Sequence, residues 1–507
     1  GMITVLFKPI ARGEGYREHI DLSTSGLELQ TSAIVTTRRF AETEGEVVRR
    51  FLLSFIDAVH AYRSRKAEAK EIIARYSRVS NLEMLEENYV YYLGILKELP
   101  MPTFAGLKVE QEMMAETDPK ARDYDLRRAV DLSFLQQIEA TLAEVKADIV
   151  ARIGKRHPFM DVDPSLVHEV LERLSSLERD HWAEEWSRVA ERFRHQGESQ
   201  EAGGEVSRAM ESYFRAYKLF TLARYPVPVS QKKKEAYRSA VDSFLAAAKF
   251  FDPRLERVVI PFEGKSITAY LRLPPGSGPH PLVIHWGGID MWKEDTGQGA
   301  EAFLQRGMGS FTMDIPGTGE CPILAGPTAE RVFSAAIDYI LTRPEVDPAR
   351  IAVQGGSFGA YWAAKLGIVE RARLRAAVFW GGPVHYGFQP KWLRKALKTR
   401  SYLFDFREAR FSLFGVKSLK AYLEASAQMS LKAQGLLDLP SVPMLLINGK
   451  RDELQTIEDV YLLLEGGSPK TARVYPEGGH MGRSLIGPTP DIQGLIADWI
   501  VGNVLLK

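Results

Sequence analysis

Three residues of this chain could together turn an alcohol into a nucleophile: Ser357, Asp452 and His480. A serine hydroxyl attacks a carbonyl poorly until a base takes its proton. An imidazole does that well only when a carboxylate orients it and balances the charge it gains. Ser357 stands in Gly355-Gly356-Ser357-Phe358-Gly359, Asp452 in Asn448-Gly449-Lys450-Arg451-Asp452, and His480 in Gly478-Gly479-His480-Met481-Gly482. Each alone has an ordinary explanation: a glycine-rich turn, a helix cap, a loop histidine at the surface. Glu453 stands beside Asp452 as a rival acid. Nucleophile, acid and base in this chain order, each just behind an apolar run, make a catalytic constellation the better reading.

The elements that must hold these groups are legible around them. Ile351-Ala352-Val353 is a short apolar run entering the glycines, and the alanine-rich stretch from Ala360 follows. This reads as strand, sharp turn and helix, with Gly355 and Gly359 small enough for strand and helix to close on each other. Charge developing on a carbonyl oxygen needs two backbone N–H donors. One is expected from Phe358, the residue after the serine. The other is expected from Gly288 or Ile289, in the loop after the strand Leu282-Val283-Ile284-His285. Asp290 follows at the rim of that loop, either as an acid near Ser357 or as a helix cap or partner of Lys293. His285, inside the strand end, is expected to be structural.

From Leu255 onward strands and helices alternate. A hairpin around Gly264 joins runs at 258–260 and 267–271. Further strands are expected at 282–285, 310–314, 351–353, 376–380, 444–448 and 472–475. Helices are expected at 332–341, within 391–434 and at 492–501. Such alternation builds a mostly parallel sheet flanked by helices, with the site beyond the strand ends.

The first part of the chain is mainly helical, after an expected strand at 32–37. Val47, Phe51, Phe55, Val59 and Tyr62 recur on one helix face. Helices are expected at 66–76, at 82–96 with Asn81 or Ser80 as cap, after Thr103, and at 130–142. Ala33-Ile34-Val35-Thr36-Thr37, Val48-Arg49-Arg50-Phe51-Leu52 and Asp131-Leu132-Ser133-Phe134-Leu135 resemble the C-terminal part of periplasmic substrate-binding proteins of the sulfonate, nitrate and thiamine-precursor type. Only part of that two-lobed fold is matched, so packing or homo-oligomer formation is expected here rather than ligand capture. Helices at 144–253 follow, with Trp182, Trp186, Phe193, Tyr213 and Phe214 expected in a core and Lys232-Lys233-Lys234 as a solvated helix start. The expected domains are 1–143, 144–253 and 254–507.

Residues from about 150 to 507 resemble the esterase/hydrolase family that contains the fermentation-respiration switch protein and 2,6-dihydroxypseudooxynicotine hydrolase. The match rests on Gly287-Gly288-Ile289-Asp290, Asp314-Ile315-Pro316-Gly317-Thr318-Gly319-Glu320, Gly355 to Gly359, Trp380-Gly381-Gly382, Asp452 and Gly479-His480. It implies an α/β-hydrolase fold preceded by a helical domain and, here, a further mainly helical N-terminal segment. It also implies an acyl-enzyme on Ser357, formed from an ester or from a ketone whose carbon–carbon bond is cut, with Asp290 as the acid of the ketone reaction. The alternative is a regulatory or small-molecule-binding protein on the same scaffold, but a pure binder has no need of a serine, acid and base in triad order.

Composition bounds the partners. The 507 residues exceed what one core serves. A net charge of +1 with 45% hydrophobic residues argues against disorder and against nucleic-acid or membrane binding by bulk electrostatics. Cys321 is the sole cysteine, so no intramolecular disulfide forms. No apolar run of about 18 residues exists to span a membrane. Residues 1–5 show no signal-peptide pattern, and the cytoplasm is the expected compartment. A small-molecule substrate is expected, with no cofactor and no metal.

Overall fold

Eight strands form one sheet in the computed structural model, which describes residues 7–20, 33–97, 100–399, 402–467, 469–484 and 489–505. They are β1 (Glu256–Phe262), β2 (Lys265–Arg272), β3 (His280–Trp286), β4 (Gly309–Met313), β5 (Val346–Gly356), β6 (Ala376–Trp380), β7 (Met444–Gly449) and β8 (Lys470–Tyr475), in the spatial order β1-β2-β4-β3-β5-β6-β7-β8. β1 and β2 form the antiparallel hairpin around Gly264, and β2 also pairs antiparallel with β4. All other neighbours are parallel. This is the α/β-hydrolase arrangement, a mostly parallel sheet between helices.

The central strands are buried on both faces, as a parallel sheet between two helical layers requires. Their side chains alternate between two cores. Ile284, Ile351, Val353 and Leu446 join one core, which includes Phe333 and Ile337 of the helix Arg331–Leu341 and Trp362 of the helix Ala360–Val369. Val283, Ala352, Val378 and Ile447 join the other, against Phe303 and the C-terminal helix Ile492–Val504. Chain direction across the sheet reverses between β3 and β5. β3 leads to β4 on one side, and β5 begins the run to β8 on the other. The loops leaving β3 and β5 meet at the carboxyl ends of these strands, where a sheet of this kind places its site.

By spatial clustering the chain divides into two compact units, Gly1–Glu185 and Trp186–Lys507. The second contains the sheet, the helices Val206–Arg224 and Gln231–Ala248, and the excursion after β6. Lys233 departs from expectation. Its side chain is fully buried, donates to the Tyr225 carbonyl at 2.7 Å and pairs with Asp405 at 3.3 Å, so one lysine of the three-lysine run is a core ion rather than a solvated one.

The first unit is helical among its described residues. Of the two caps expected before the helix at 82, Asn81 serves, and Thr103 caps the helix that follows it, each side chain accepting a backbone N–H three residues on. Two expectations fail. Residues 33–37 form no strand, because no partner strand lies beside them among the described residues, and Thr37 instead caps the helix Arg38–Thr43. Ser32 and residues 1–5 lie outside the described residues. On the helix Gly45–Ser64 the buried stripe is Leu52, Ile56 and Val59, with Val48 partly covered, packed on Leu135. Val47 and Phe51 are exposed while Val59 is buried as expected and Phe55 and Tyr62 are partly covered, so the core face departs from the expected one in the first half of the helix. The last helix of this stretch, Ser133–Arg152, runs through residue 143.

Candidate active site

The turn after β5 holds Ser357 in the left-handed region, at φ +54°, which is uncommon for a residue with a side chain. Its neighbours explain why the chain accepts this. A Cβ on Gly355 would lie 2.2 Å from the Gly359 carbonyl oxygen, and one on Gly359 would lie 2.1 Å from that of Gly287. Only glycine allows strand, turn and helix to approach so closely, and the serine is thereby forced up above the strand end. The Trp286 indole donates to the Gly359 carbonyl at 2.8 Å and fixes the turn against β3.

The three sequence-derived groups meet at the carboxyl edge of the sheet. His480, in the loop after β8, lies with Nε2 2.8 Å from Ser357 Oγ and Nδ1 2.8 Å from Asp452 Oδ2. Asp452, in the loop after β7, has a fully buried side chain, while that of His480 remains 17% exposed and can be reached by a ligand. The other carboxylate oxygen of Asp452 accepts the N–H groups of Leu454 and Gln455 at 2.8 and 3.1 Å. With one oxygen tied to the backbone, the other can only face the histidine. The His480 loop is fixed to the sheet in turn: Asn448 accepts Met481 N–H at 3.0 Å, and the Trp380 indole donates to the Met481 carbonyl at 2.8 Å.

The loop after β3 borders the same place. A Cβ on Gly288 would sit 2.8 Å from that of Ser357, so the backbone there lies directly against the serine. Phe358 and Ile289 are buried beside it. Asp290 neither caps a helix nor pairs with Lys293. Trp292 stands at the N-cap of the helix Lys293–Thr296, and Lys293 binds Asp314 at 3.0 Å, Glu294 at 2.7 Å and Glu320 at 2.7 Å. The Asp290 carboxylate lies near the Tyr402 hydroxyl instead. Burial, with that carboxylate next in weight, holds the Tyr402 phenol well above its ordinary pKa. His285 is structural as expected: it bonds Ser310 Oγ at 2.6 Å, and burial pushes its pKa down to about 3, so it is neutral in the folded chain.

Sequence reasoning missed two supports. Asp459 accepts four consecutive backbone N–H groups, of Val384, His385, Tyr386 and Gly387, at 2.7 to 3.0 Å, and so fixes the loop following β6. It stands in the first turn of the helix Glu458–Glu465, where an acid is unremarkable in sequence. Arg224 ends the helix Val206–Arg224 and reads as a surface residue, yet it is buried and bonds the loop carrying Asp290. No local pattern announces either contact, because both partners are distant in the chain.

Comparison with known proteins gives a concordant result. Residues 143–471, well over half of the chain, match the family described as esterase FrsA-like. A hydrolase of Paenarthrobacter nicotinovorans named for 2,6-dihydropseudooxynicotine is 26% identical over 326 residues, covering 63% of this chain and 83% of its own. Esterase FrsA of Photobacterium profundum is 28% identical over 292 residues, covering 56% and 68%. Among solved structures, 2,6-dihydroxy-pseudo-oxynicotine hydrolase superimposes with a TM-score of 0.59 at 23% identity, over 72% of this chain and 96% of that one. AbyA5 superimposes at 0.53 and 21% identity, over 67% and 89%. These two likenesses show the shared fold.

Proposed function

This chain belongs to the FrsA-like esterase family, and we propose that it is a serine hydrolase working through Ser357, His480 and Asp452 on a small acyl compound. The observation that carries it is the unbroken chain of two 2.8 Å contacts, serine to histidine to buried aspartate. His480 takes the Ser357 proton as Oγ attacks the carbonyl carbon. The N–H groups of Phe358 and of Ile289 or Gly288 receive the oxyanion. His480 returns the proton to the leaving group, and water activated by the same imidazole then frees the acid. Labelling of Ser357 by a fluorophosphonate probe tests this. A folded protein that takes no label would instead be a binder on a hydrolase scaffold.

Among acyl compounds, the reading extends to ketones whose leaving group is a carbanion. When the carbon–carbon bond breaks, its electron pair goes to the departing carbon, which must gain a proton as it leaves. Asp290, two residues beyond the Gly288 backbone that lies against Ser357, is the candidate donor, and the likeness to a hydrolase named for 2,6-dihydropseudooxynicotine supports testing a ketone. Asp290→Asn is expected to lower kcat on an aryl β-diketone by about tenfold or more while leaving an aryl ester within about twofold, since general acid catalysis typically contributes 10²–10⁴. Equal loss on both substrates, or none on either, would leave plain ester hydrolysis.

Residues 1–143 are proposed as an added segment, related to part of a substrate-binding protein, that joins copies of the chain in the cytoplasm. Phe51, Ile95, Phe104, Met113 and Met114 are exposed apolar side chains on it that contacts between copies would cover. Removal of the residues before the helix Ser133–Arg152 is expected to lower the oligomeric state seen by sedimentation. Unchanged sedimentation apart from the lost mass, or tight sulfonate binding by the fragment, would refute it.

A further inference from the structure

We infer that Arg224 is a positioning residue for the oxyanion donor, so that the helical segment before the sheet is a working part of the reaction machinery. This rests on the serine-hydrolase reading above and names a residue that the motifs do not include.

The loop Gly287–Trp292 leaves β3 and must present an N–H of Gly288 or Ile289 to the oxyanion. Nothing in a glycine-rich loop holds such a peptide still by itself. Here one hold comes from within the loop, the Trp292 indole on the Ile289 carbonyl, and the others come from outside it. Arg224, 2% exposed, donates through Nη2 to the Asp290 carbonyl at 2.9 Å and to Asp295 Oδ2 at 2.8 Å. The same Asp295 oxygen accepts Trp292 N–H at 2.8 Å, and its other oxygen accepts the Tyr217 hydroxyl. The guanidinium also lies 3.9 Å from the Trp292 ring centroid, and that indole donates to the Ile289 carbonyl at 2.8 Å.

The carbonyls of Ile289 and Asp290 and the N–H of Trp292 are thus all fixed within reach of one arginine. These groups belong to the three successive peptide planes from Ile289 to Trp292, so the donor's own plane, at Ile289 or Gly288, lies next to that fixed segment or one plane from it. The remaining Arg224 contact, Nη1 to the Pro226 carbonyl at 3.1 Å, secures the arginine to its own segment. A planar fork is what this geometry uses. It meets a carbonyl, a carboxylate and an indole face together, and a lysine ammonium cannot reproduce that set. A displacement of about 1 Å in a group that stabilises the transition state can cost about 10² in rate, and loss of a whole oxyanion donor about 10²–10³.

The decisive variant is Arg224→Lys, which keeps the buried charge opposite Asp295 and so keeps the fold. Arg224→Met accompanies it as the more severe form. On an activated aryl ester, Arg224→Lys is expected to lower kcat about 10- to 100-fold with KM within about threefold. The inhibition constant of a boronic acid, which adds to the serine as a tetrahedral mimic, should rise in parallel, with the melting temperature within a few degrees of the parent. A merely structural arginine would move the melting temperature and leave kcat and the boronate constant of the folded fraction alone. A folded Arg224→Lys protein with kcat within twofold of the parent overturns the inference, as does a loss confined to KM. Parent protein that takes no fluorophosphonate label would overturn the hydrolase reading and this inference with it. Parent protein that labels, together with an Arg224→Lys variant labelling at the same rate, would overturn this inference alone.

Discussion

Ser357→Ala and His480→Ala are each expected to reduce turnover of an activated ester by about 10⁴-fold or more, with the circular dichroism spectrum and melting behaviour close to the parent's. The expectation follows from the 2.8 Å contact between Oγ and Nε2. Without the hydroxyl there is nothing to acylate, and without the imidazole the hydroxyl keeps its proton at neutral pH. Both side chains stand in loops beyond strand ends, so neither truncation opens the core. The double variant should be no slower than the worse single one, because the two groups act as one unit. Activity of either single variant within tenfold of the parent would remove Ser357 or His480 from the mechanism.

The second large effect is expected from Asp452→Asn, again about 10⁴-fold in kcat. Asp452 Oδ1 is held by two backbone N–H groups. An asparagine keeping those bonds must place its oxygen there and its amide nitrogen toward His480 Nδ1. The imidazole then accepts at Nδ1 and carries its proton on Nε2, the atom that should receive the serine proton. The wrong tautomer, rather than lost packing, causes the defect, so the variant should melt near the parent temperature. If Asp452→Asn kept near-full activity, another acid would have to serve. The exposed Glu453 is the neighbour to test, by Glu453→Gln.

How much of this was legible in the sequence depends on how local the cause was. The strands, the hairpin at Gly264 and the turn at Ser357 were legible because each is encoded within about ten residues. Triad order and glycine spacing then placed Asp452 and His480 beside the serine, although both are far from it in the chain. The N-terminal unit was less legible. An apolar run at 33–37 looks like a strand, but a strand exists only where another edge pairs with it, and no such edge lies there among the described residues. On the helix Gly45–Ser64 apolar residues occur on two adjacent faces, and periodicity alone does not say which faces a neighbour. Lys233, Asp459 and Arg224 escaped for a related reason. Each is a buried ionisable side chain with at least one partner 66 to 172 residues distant, and polar residues are ordinarily read as surface.

The left-handed backbone at Ser357 bears on how this protein can drift over generations. A residue with a side chain held at φ +54° costs on the order of 1 kcal/mol or more relative to glycine, which adopts that conformation freely. The nucleophile therefore occupies a place where the chain would be more stable without it. In a lineage under selection for thermal tolerance alone, with turnover no longer needed, glycine at 357 is among the replacements to be favoured, since it relieves the backbone and gives up only the contact of Oγ with His480. Inactive descendants of this fold should then keep the histidine, the aspartate and the glycines long after the serine has gone, and retention of the serine is itself the mark of continuing use.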